Sequence, residues 1–327
     1  MGITAYANAA EGESNPTRDR VILFIAASGT DFRVHHTQCA NVTVVDMPPA
    51  SEPILAGAID MHVHSAPDVR PRKLDDWGLL ARTVMAGMGG VVLKNHFSPT
   101  ADRAQLLRAK FPELSISGSI VLNESVGGLN RTAVDVALKL GAKVVWMPTV
   151  SAAHRIERAA IPGSGTGVRV ARGGGLVPEM ADILRLIAAS GAILATGHLS
   201  PDETATLVPE ARRLGVTRII VTHPASHLVG MAVDEQVLLA RQGAFVEIAY
   251  VTTRQKPPVQ IQDLIAHVRA IGPSAIVLTS DLGQPENPYP DDGLRELIRK
   301  MRDGGVSEAD LRKMVWHNPR QLLGISV

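Results

Sequence analysis

Cysteine is all but missing from this sequence of 327 residues, in which Cys39 stands alone. A single thiol closes no intrachain disulfide and builds no cysteine-based metal cluster, so any metal must be held by histidine, carboxylate or modified lysine. Charge of one sign is missing as well. Against 33 Lys and Arg stand 32 Asp and Glu, a formal net charge of +1 that gives polyanions nothing to attract them and argues against a nucleic-acid partner. Long hydrophobic runs are absent too. Val21 to Ala27 is followed at once by Ser28, Gly29, Thr30 and Asp31, well short of the roughly 18 residues that span a bilayer. That run is too far inside the chain and too poorly flanked for a signal peptide, so a cytoplasmic protein with no membrane partner is expected.

What is present is the composition of a soluble globular protein, 45% hydrophobic and 20% charged. The length suits one barrel of about 250 residues with extensions as well as it suits two smaller domains. The first twenty residues, rich in Ala, Gly, Glu, Asn and Ser, lack periodicity and are expected to form an arm. The β-type runs Val21 to Ala26 and Val42 to Val45 predict a small strand pair within an N-terminal region 1–53.

From Ile59 onward short apolar runs alternate with loops and stretches of helical spacing. The strand candidates are Ile59 to His64, Val91 to His96, Ile116 to Leu122, Val144 to Pro148, Ile193 to His198, Ile219 to His223, Ala244 to Ala249 and Ala275 to Asp281. Eight strands close a barrel, and the expected fold over 54–327 is an α/β (β/α)8 TIM barrel, with a doubly wound open sheet as the alternative. Candidate starts lie 25 to 32 residues apart except from the fourth to the fifth, Val144 to Ile193, an interval of 49. The excess falls in the glycine-rich segment Val150 to Leu176, which reads either as a flexible connection or as a lid over the C-terminal face of the barrel. It is no phosphate loop, because no Gly-Lys-Ser/Thr follows its glycines. Two helices announce themselves. Ile261, Leu264, Ile265 and Val268 form one apolar stripe, and Ser200, Pro201 and Glu203 supply an N-cap, a first-turn proline and a capping-box acid. That helix start places His198 at the C-terminal end of the fifth strand.

The strongest local signal is Asp60-Met61-His62-Val63-His64. Residues two apart on a strand project to one side, so the imidazoles of His62 and His64 would share the barrel mouth and could share one ion. Other candidates also end in ligand-type residues, the fifth in His198, the sixth in His223 and the eighth in Asp281. Imidazole and carboxylate suit zinc, manganese, iron or nickel. Asp281 could instead cap a following helix, but Gly283, Pro285, Pro288 and Pro290 intervene.

With these residues the sequence resembles the amidohydrolase superfamily of metal-dependent hydrolases, whose pattern is His-x-His on strand one, histidines on strands five and six and an aspartate on strand eight. The tail Trp316-His317-Asn318-Pro319-Arg320-Gln321-Leu322-Leu323-Gly324 is similar to the Asn-Pro-x-x-Leu-Leu-Gly ending of many members. The resemblance covers Ile54 to Val327. It implies His62, His64, His198, His223 and Asp281 as ligands of a divalent metal, zinc first and manganese or iron after it, as one or two ions.

One departure stands out. Binuclear members often carry a carboxylated lysine on strand four, but here that strand ends Trp146-Met147-Pro148, and Lys94 ends strand two instead. Lys94 is a displaced carboxylated metal ligand, an ammonium that binds a substrate carboxylate, or a strand end reaching solvent. His96 would face the site beside it as a substrate contact. His154 and His227, on the loops after strands four and six, are either substrate contacts or exposed loop residues. Arg155, Arg158, Arg169 and Arg172 on the long loop could grip a carboxylate.

The expected activity is hydrolysis of an amide, cyclic amide or ester of a small molecule, with Asp281 as catalytic acid and base to a metal-activated water. A nonoxidative decarboxylase of a small aromatic acid keeps the site and changes the chemistry. A noncatalytic metal-stabilised, ligand-binding barrel is the alternative of another class. The expected partner is a small-molecule substrate, with a homo-oligomer left open.

Overall fold

Parallel strands buried on both faces read as near-continuous apolar runs, and the runs found in the sequence form such a sheet. The computed structural model describes residues 53–160 and 165–326. Its strands are β1 (Ile59–Val63), β2 (Gly90–Leu93), β3 (Ser115–Val121), β4 (Ala142–Trp146), β5 (Ala171–Arg172), β6 (Gly175–Leu176), β7 (Ile193–Ala195), β8 (Ile219–Val221), β9 (Phe245–Ala249) and β10 (Ile276–Thr279). Eight of them form one parallel sheet in the order β1-β2-β3-β4-β7-β8-β9-β10, with helices between successive strands, and β5 and β6 pair separately as an antiparallel hairpin. The expected barrel is therefore present, and each of the eight candidates overlaps one of its strands. The expected arm and strand pair lie outside the described residues.

An inner apolar cluster of Ile59, Met61, Val92, Val121, Val144, Trp146, Ile193, Ile220 and Val277 fills the barrel, and Leu322 and Leu323 of the C-terminal tail join it. Three outer clusters pack the helices on the sheet. On the stripe predicted for Ile261–Ile271, Leu264, Ile265 and Val268 are buried. The capping box at Ser200 is formed, with Ser200 Oγ accepting from Glu203 N and Glu203 Oε2 accepting from Ser200 N. The tail motif is a staple: Asn318 Nδ2 donates to the carbonyls of Pro273 and Ile276, which ties the tail to the start of β10.

The long segment after β4 has structure of its own. A short helix, Ala153–Ala159, and the β5–β6 hairpin occupy it, pinned by Val168 N to Ser151 O at 2.7 Å and by Val170 N to Glu203 Oε1 at 3.0 Å.

The sheet closes at its C-terminal end. Asp281 N donates to His62 O at 2.9 Å and His64 N to Leu282 O at 2.8 Å, so the seam between β10 and β1 is sewn by backbone of the predicted ligands. Asp60 reinforces it from below. Its Oδ1 accepts from Ser280 N and His62 N, both at 3.1 Å, while Oδ2 is buried without a hydrogen-bond partner. Burial pushes the Asp60 carboxyl up to about 6, against the hydrogen bonds from Ser280.

A carboxyl whose folded pKa is raised favours the fold fully below its ordinary value near 3.8, and that contribution is lost as pH rises through about 6. Asparagine at this position keeps an oxygen for both backbone donors and cannot ionise. In chelator-treated protein, the unfolding free energy of Asp60→Asn relative to wild type should therefore move in the variant's favour by up to about 3 kcal/mol between pH 4 and pH 7. Parallel denaturant titrations at the two pH values check this, and a difference that does not change with pH contradicts it.

Candidate metal centre

The observed strands stop before most of the ligand-type residues, because the chain there leaves the extended conformation. His223 has φ +24° and Asp281 φ +49°, left-handed values that side-chain-bearing residues rarely adopt and that cannot continue a ladder. Such strain costs on the order of 1–3 kcal/mol per residue and gathers at functional sites. The neighbouring residues hold the turns. Gly197 N donates to Thr222 Oγ1 and Thr222 N to Thr196 Oγ1, each at 2.9 Å, which locks the ends of β7 and β8 together below His198 and His223. Gly197 itself must be glycine, since a Cβ would stand 2.3 Å from Met147 O.

The side chains converge on Asp281. Its Oδ1 lies 3.0 Å from His62 Nε2 and 3.1 Å from His64 Nε2, and its Oδ2 lies 3.7 Å from His223 Nε2. The His198 ring stands 5.0 Å from that of His223, and the His96 ring 4.9 Å from that of His64, between centroids. All five histidines are buried, whereas the Asp281 side chain keeps 13% of its surface exposed. Lys94 is buried as well. Its Nζ is 2.9 Å from His62 Nε2 and sits 4.2 Å from the centroid of the Trp146 ring, so an indole lies where strand four could have carried a lysine.

Glu247, in the middle of β9, escaped the sequence reading. Its carboxylate accepts from His62 Nδ1 at 2.7 Å, His223 N at 3.0 Å and Thr279 Oγ1 at 2.8 Å, and so touches three of the ligand-bearing strands. The bond to Nδ1 fixes the tautomer of His62 and turns Nε2 toward Asp281. The signal was available as one acid inside the apolar run Phe245-Val246-Glu247-Ile248-Ala249. Arg72 was missed too; it pairs with Asp68 at 2.7 Å and reaches within 3.3 Å of His64 Nδ1. His96 is held by Thr149 Oγ1 at 2.8 Å, and the same hydroxyl accepts from Asn123 Nδ2.

Three predicted substrate residues are not part of this cluster. His154 Nε2 pairs with Val229 O, exposed His227 with Pro257 O, and exposed Arg172 lines a separate cavity with Glu124, Val168 and Glu179. The first two are tied up by loop carbonyls, a long-range pairing that a sequence does not display.

Electrostatics leave the donor set ready for a cation. Burial, aided by the charge of Arg72, lowers His64 to about 3, and burial followed by neighbouring cationic groups holds His96 and His198 well below their ordinary value. Burial lowers His223 as well. For His62 burial is outweighed by Asp281 and Glu247, which raise it. Burial opposes ionisation of Asp281, yet His62, His64 and His223 hold its carboxyl well below the usual range. Burial lowers Lys94 to about 8.

His64, His198 and His223 are thus held neutral beside an ionised carboxylate, the protonation states that a metal requires, while His62 must give up a proton for a metal to bind its Nε2. The geometry fits as well. Donors at about 2.1 Å from one ion stand roughly 3.0–3.4 Å apart, and the Asp281 contacts to His62 and His64 fall in that range. The Nδ1 atoms of His198 and His223 are buried without a hydrogen-bond partner; an ion or water relieves the first, and for the second, whose Nε2 faces Asp281, a water does. His62, His64 and Asp281 form one group able to hold an ion, and His62, His223 and Glu247 another.

Fold and site together define a (β/α)8 barrel with a histidine and carboxylate centre at its C-terminal face. The chain belongs to the family described as "Family of unknown function (DUF6282)", whose model matches residues 57–247. No curated protein matches the sequence. Solved structures share the barrel. An amidohydrolase from Pseudomonas aeruginosa superposes with a TM-score of 0.57 at 13% identity, over 83% of this chain and 96% of that one. The probable dipeptidase PvdM from Pseudomonas aeruginosa gives 0.58 at 12%, over 82% and 94%. The 2,6-dihydroxybenzoate decarboxylase from Rhizobium gives 0.53 at 13%, over 82% and 99%. At these identities the likeness is one of fold. No helix among the described residues is long and apolar enough to cross a membrane.

Replacing Glu247 by glutamine keeps the volume but presents an amide N–H₂ to at least one of three donors. The Glu247→Gln protein should fold and bind zinc or manganese about 10- to 100-fold more weakly than wild type. Competition with a chromogenic chelator measures this, and equal affinities would remove Glu247 from the centre.

Proposed function

We propose that this protein is a metal-dependent hydrolase of the amidohydrolase type, which cleaves an amide, cyclic amide or ester bond of a small molecule. The observation that carries this reading is the convergence of three imidazole nitrogens on Asp281 at the end of the barrel where such folds place their chemistry.

His62, His64, His198, His223 and Asp281 are the residues that would hold a divalent ion, zinc first and manganese or iron after it. When bound, such an ion lowers the pKa of water toward neutrality and polarises a carbonyl oxygen. Asp281 is ionised and partly open to the mouth, so it can take a proton from water on one side and return it to a leaving group. Glu247 has no such freedom, because three donors hold its two oxygens. His96, fixed by Thr149 and not engaged with Asp281, is placed to hydrogen-bond the substrate.

Lys94 decides the number of ions. Lowered to about 8, its amine is neutral in a substantial fraction near physiological pH and can take up carbon dioxide, and a carboxylated Lys94 would bridge a second ion. As an ammonium over Trp146 it would instead attract a substrate carboxylate. That form favours a second reading, nonoxidative decarboxylation, which the shared fold with the Rhizobium decarboxylase also accommodates. Release of carbon dioxide without consumption of water marks that case.

The metal-to-protein ratio of untagged wild type, measured beside His62→Ala and Asp281→Asn, tests the proposal. Wild type should carry a near-stoichiometric transition metal that His62→Ala loses, and a ratio near two with a mass increase on Lys94 supports the carboxylated bridge. Against a panel of small amides, lactams and esters, Asp281→Asn should lose about 10²- to 10⁴-fold in turnover while keeping its fold. Absence of metal after reconstitution with zinc, manganese and iron overturns the reading.

A further inference from the structure

The arginines around the barrel mouth are mostly spent. Arg72 pairs with Asp68, Arg103 with Asp76, and Arg169 with Glu157. Arg158 donates to His227 O. Arg155 differs. Its guanidinium makes one hydrogen bond, from Nη1 to Val150 O at 3.2 Å, and its Nε is buried without a partner. Among the described residues no carboxylate forms an ion pair with it.

Its place in the fold is fixed. Arg155 sits in the first turn of the helix Ala153–Ala159, which leaves β4 through buried Ala152 and is anchored by Ala153 N to Val168 O at 3.1 Å. The charge of Arg155 is felt at His198 of the metal centre and at Arg70. Arg70, on the loop after β1, is exposed and has no ion pair among the described residues; its guanidinium lies over the Phe97 ring at 5.3 Å, and that ring stands edge-on to His96. Two guanidiniums without an ion pair thus come from the elements after β1 and β4, Arg70 over the ring that abuts His96 and Arg155 with its charge acting on His198.

A guanidinium cannot shed its proton, so a partly buried one without an anionic partner is a standing cost that an anion removes. A planar carboxylate offers two oxygens to its fork of donors, and the carboxylates of the centre are already committed, Asp281 to the histidines and Glu247 to its three donors.

We propose that Arg155, with Arg70 across the mouth, is a subsite for a carboxylate carried by the substrate. The inference rests on the metal-dependent reading, and it narrows the substrate to small carboxylic acids whose scissile bond lies a few atoms from the carboxylate. Arg155 is then a specificity-determining residue that leaves the metal untouched.

The test uses the full chain loaded with zinc or manganese and probes that separate the two sites. Acetohydroxamate reports the metal alone. Hydroxamates of succinate, glutarate and adipate, which carry a free carboxylate at the far end, are compared by calorimetry with their terminal amides. At least one acid should bind about tenfold or more tighter than its amide, as a charge-assisted pair predicts. The preference should vanish in Arg155→Met, shrink in Arg70→Met and partly return in Arg155→Lys, with metal content and acetohydroxamate affinity unchanged. A preference that survives Arg155→Met, or no preference at any chain length while acetohydroxamate binds, overturns the subsite. If no metal or acetohydroxamate binds, the metal reading fails, and direct titration of succinate and glutarate into wild type and Arg155→Met then decides the subsite. Equal weak binding to both would refute it.

Discussion

The Glu247 carboxylate is the constraint around which the centre is arranged. Withdrawing an ionised carboxylate into a dry barrel costs several kcal/mol, and a single hydrogen bond to a charged group returns only about 1.5–3 kcal/mol. Glu247 is stable there because an imidazole from β1, a backbone amide from the end of β8 and a hydroxyl from β10 all reach it. The same three contacts set the tautomer of His62, the position of His223 and the spacing of the strands between them. His62 then presents Nε2 to Asp281, and Asp281 draws in His64 and His223. Remove the buried acid and His62 Nδ1, His223 N and Thr279 Oγ1 lose their shared acceptor.

The barrel was legible because burial on both faces writes each parallel strand as a short apolar run, and the ligand-type residues at the ends of those runs mark one face of it. Strand ends were less legible. The runs continue through Lys94 to His96, Thr196 to His198 and Thr222 to His223, whereas the ladders stop at Leu93, Ala195 and Val221. Positive φ at His223 and Asp281 ends the extended conformation, and nothing in a side chain's identity reports such an angle. Glu247 was missed because attention to strand ends passes over an acid at mid-strand. The partners of His154, His227 and Arg172 depend on how distant loops meet, and that information is not local to any stretch of sequence.

The electrostatics of the mouth run opposite to those of the floor. Below, the acids Asp60, Glu247 and Asp281 stand among imidazoles and one lysine. Toward the loops the charged groups are arginines: the Arg72 side chain is buried and paired with Asp68, while Arg70 and Arg155 have no ion pair among the described residues. On the proposed reading, such a gradient would draw anions toward the centre and a cation to its base, two ligands of opposite sign that do not compete for the same groups.

The closing seam links the candidate centre to mechanics. The barrel is sewn shut between β10 and β1 by the backbone of His62, His64, Asp281 and Leu282, and the side chains of the first three aim at one point. An ion bound at that point recognises only the closed ring, and by mass action its binding energy is added to closure. The cofactor would then act as a latch for the architecture as well as a reagent. The emptied protein would breathe along this one line while the opposite wall, β3, β4 and β7, stays protected, so amide exchange at the seam becomes a gauge of occupancy that needs no substrate.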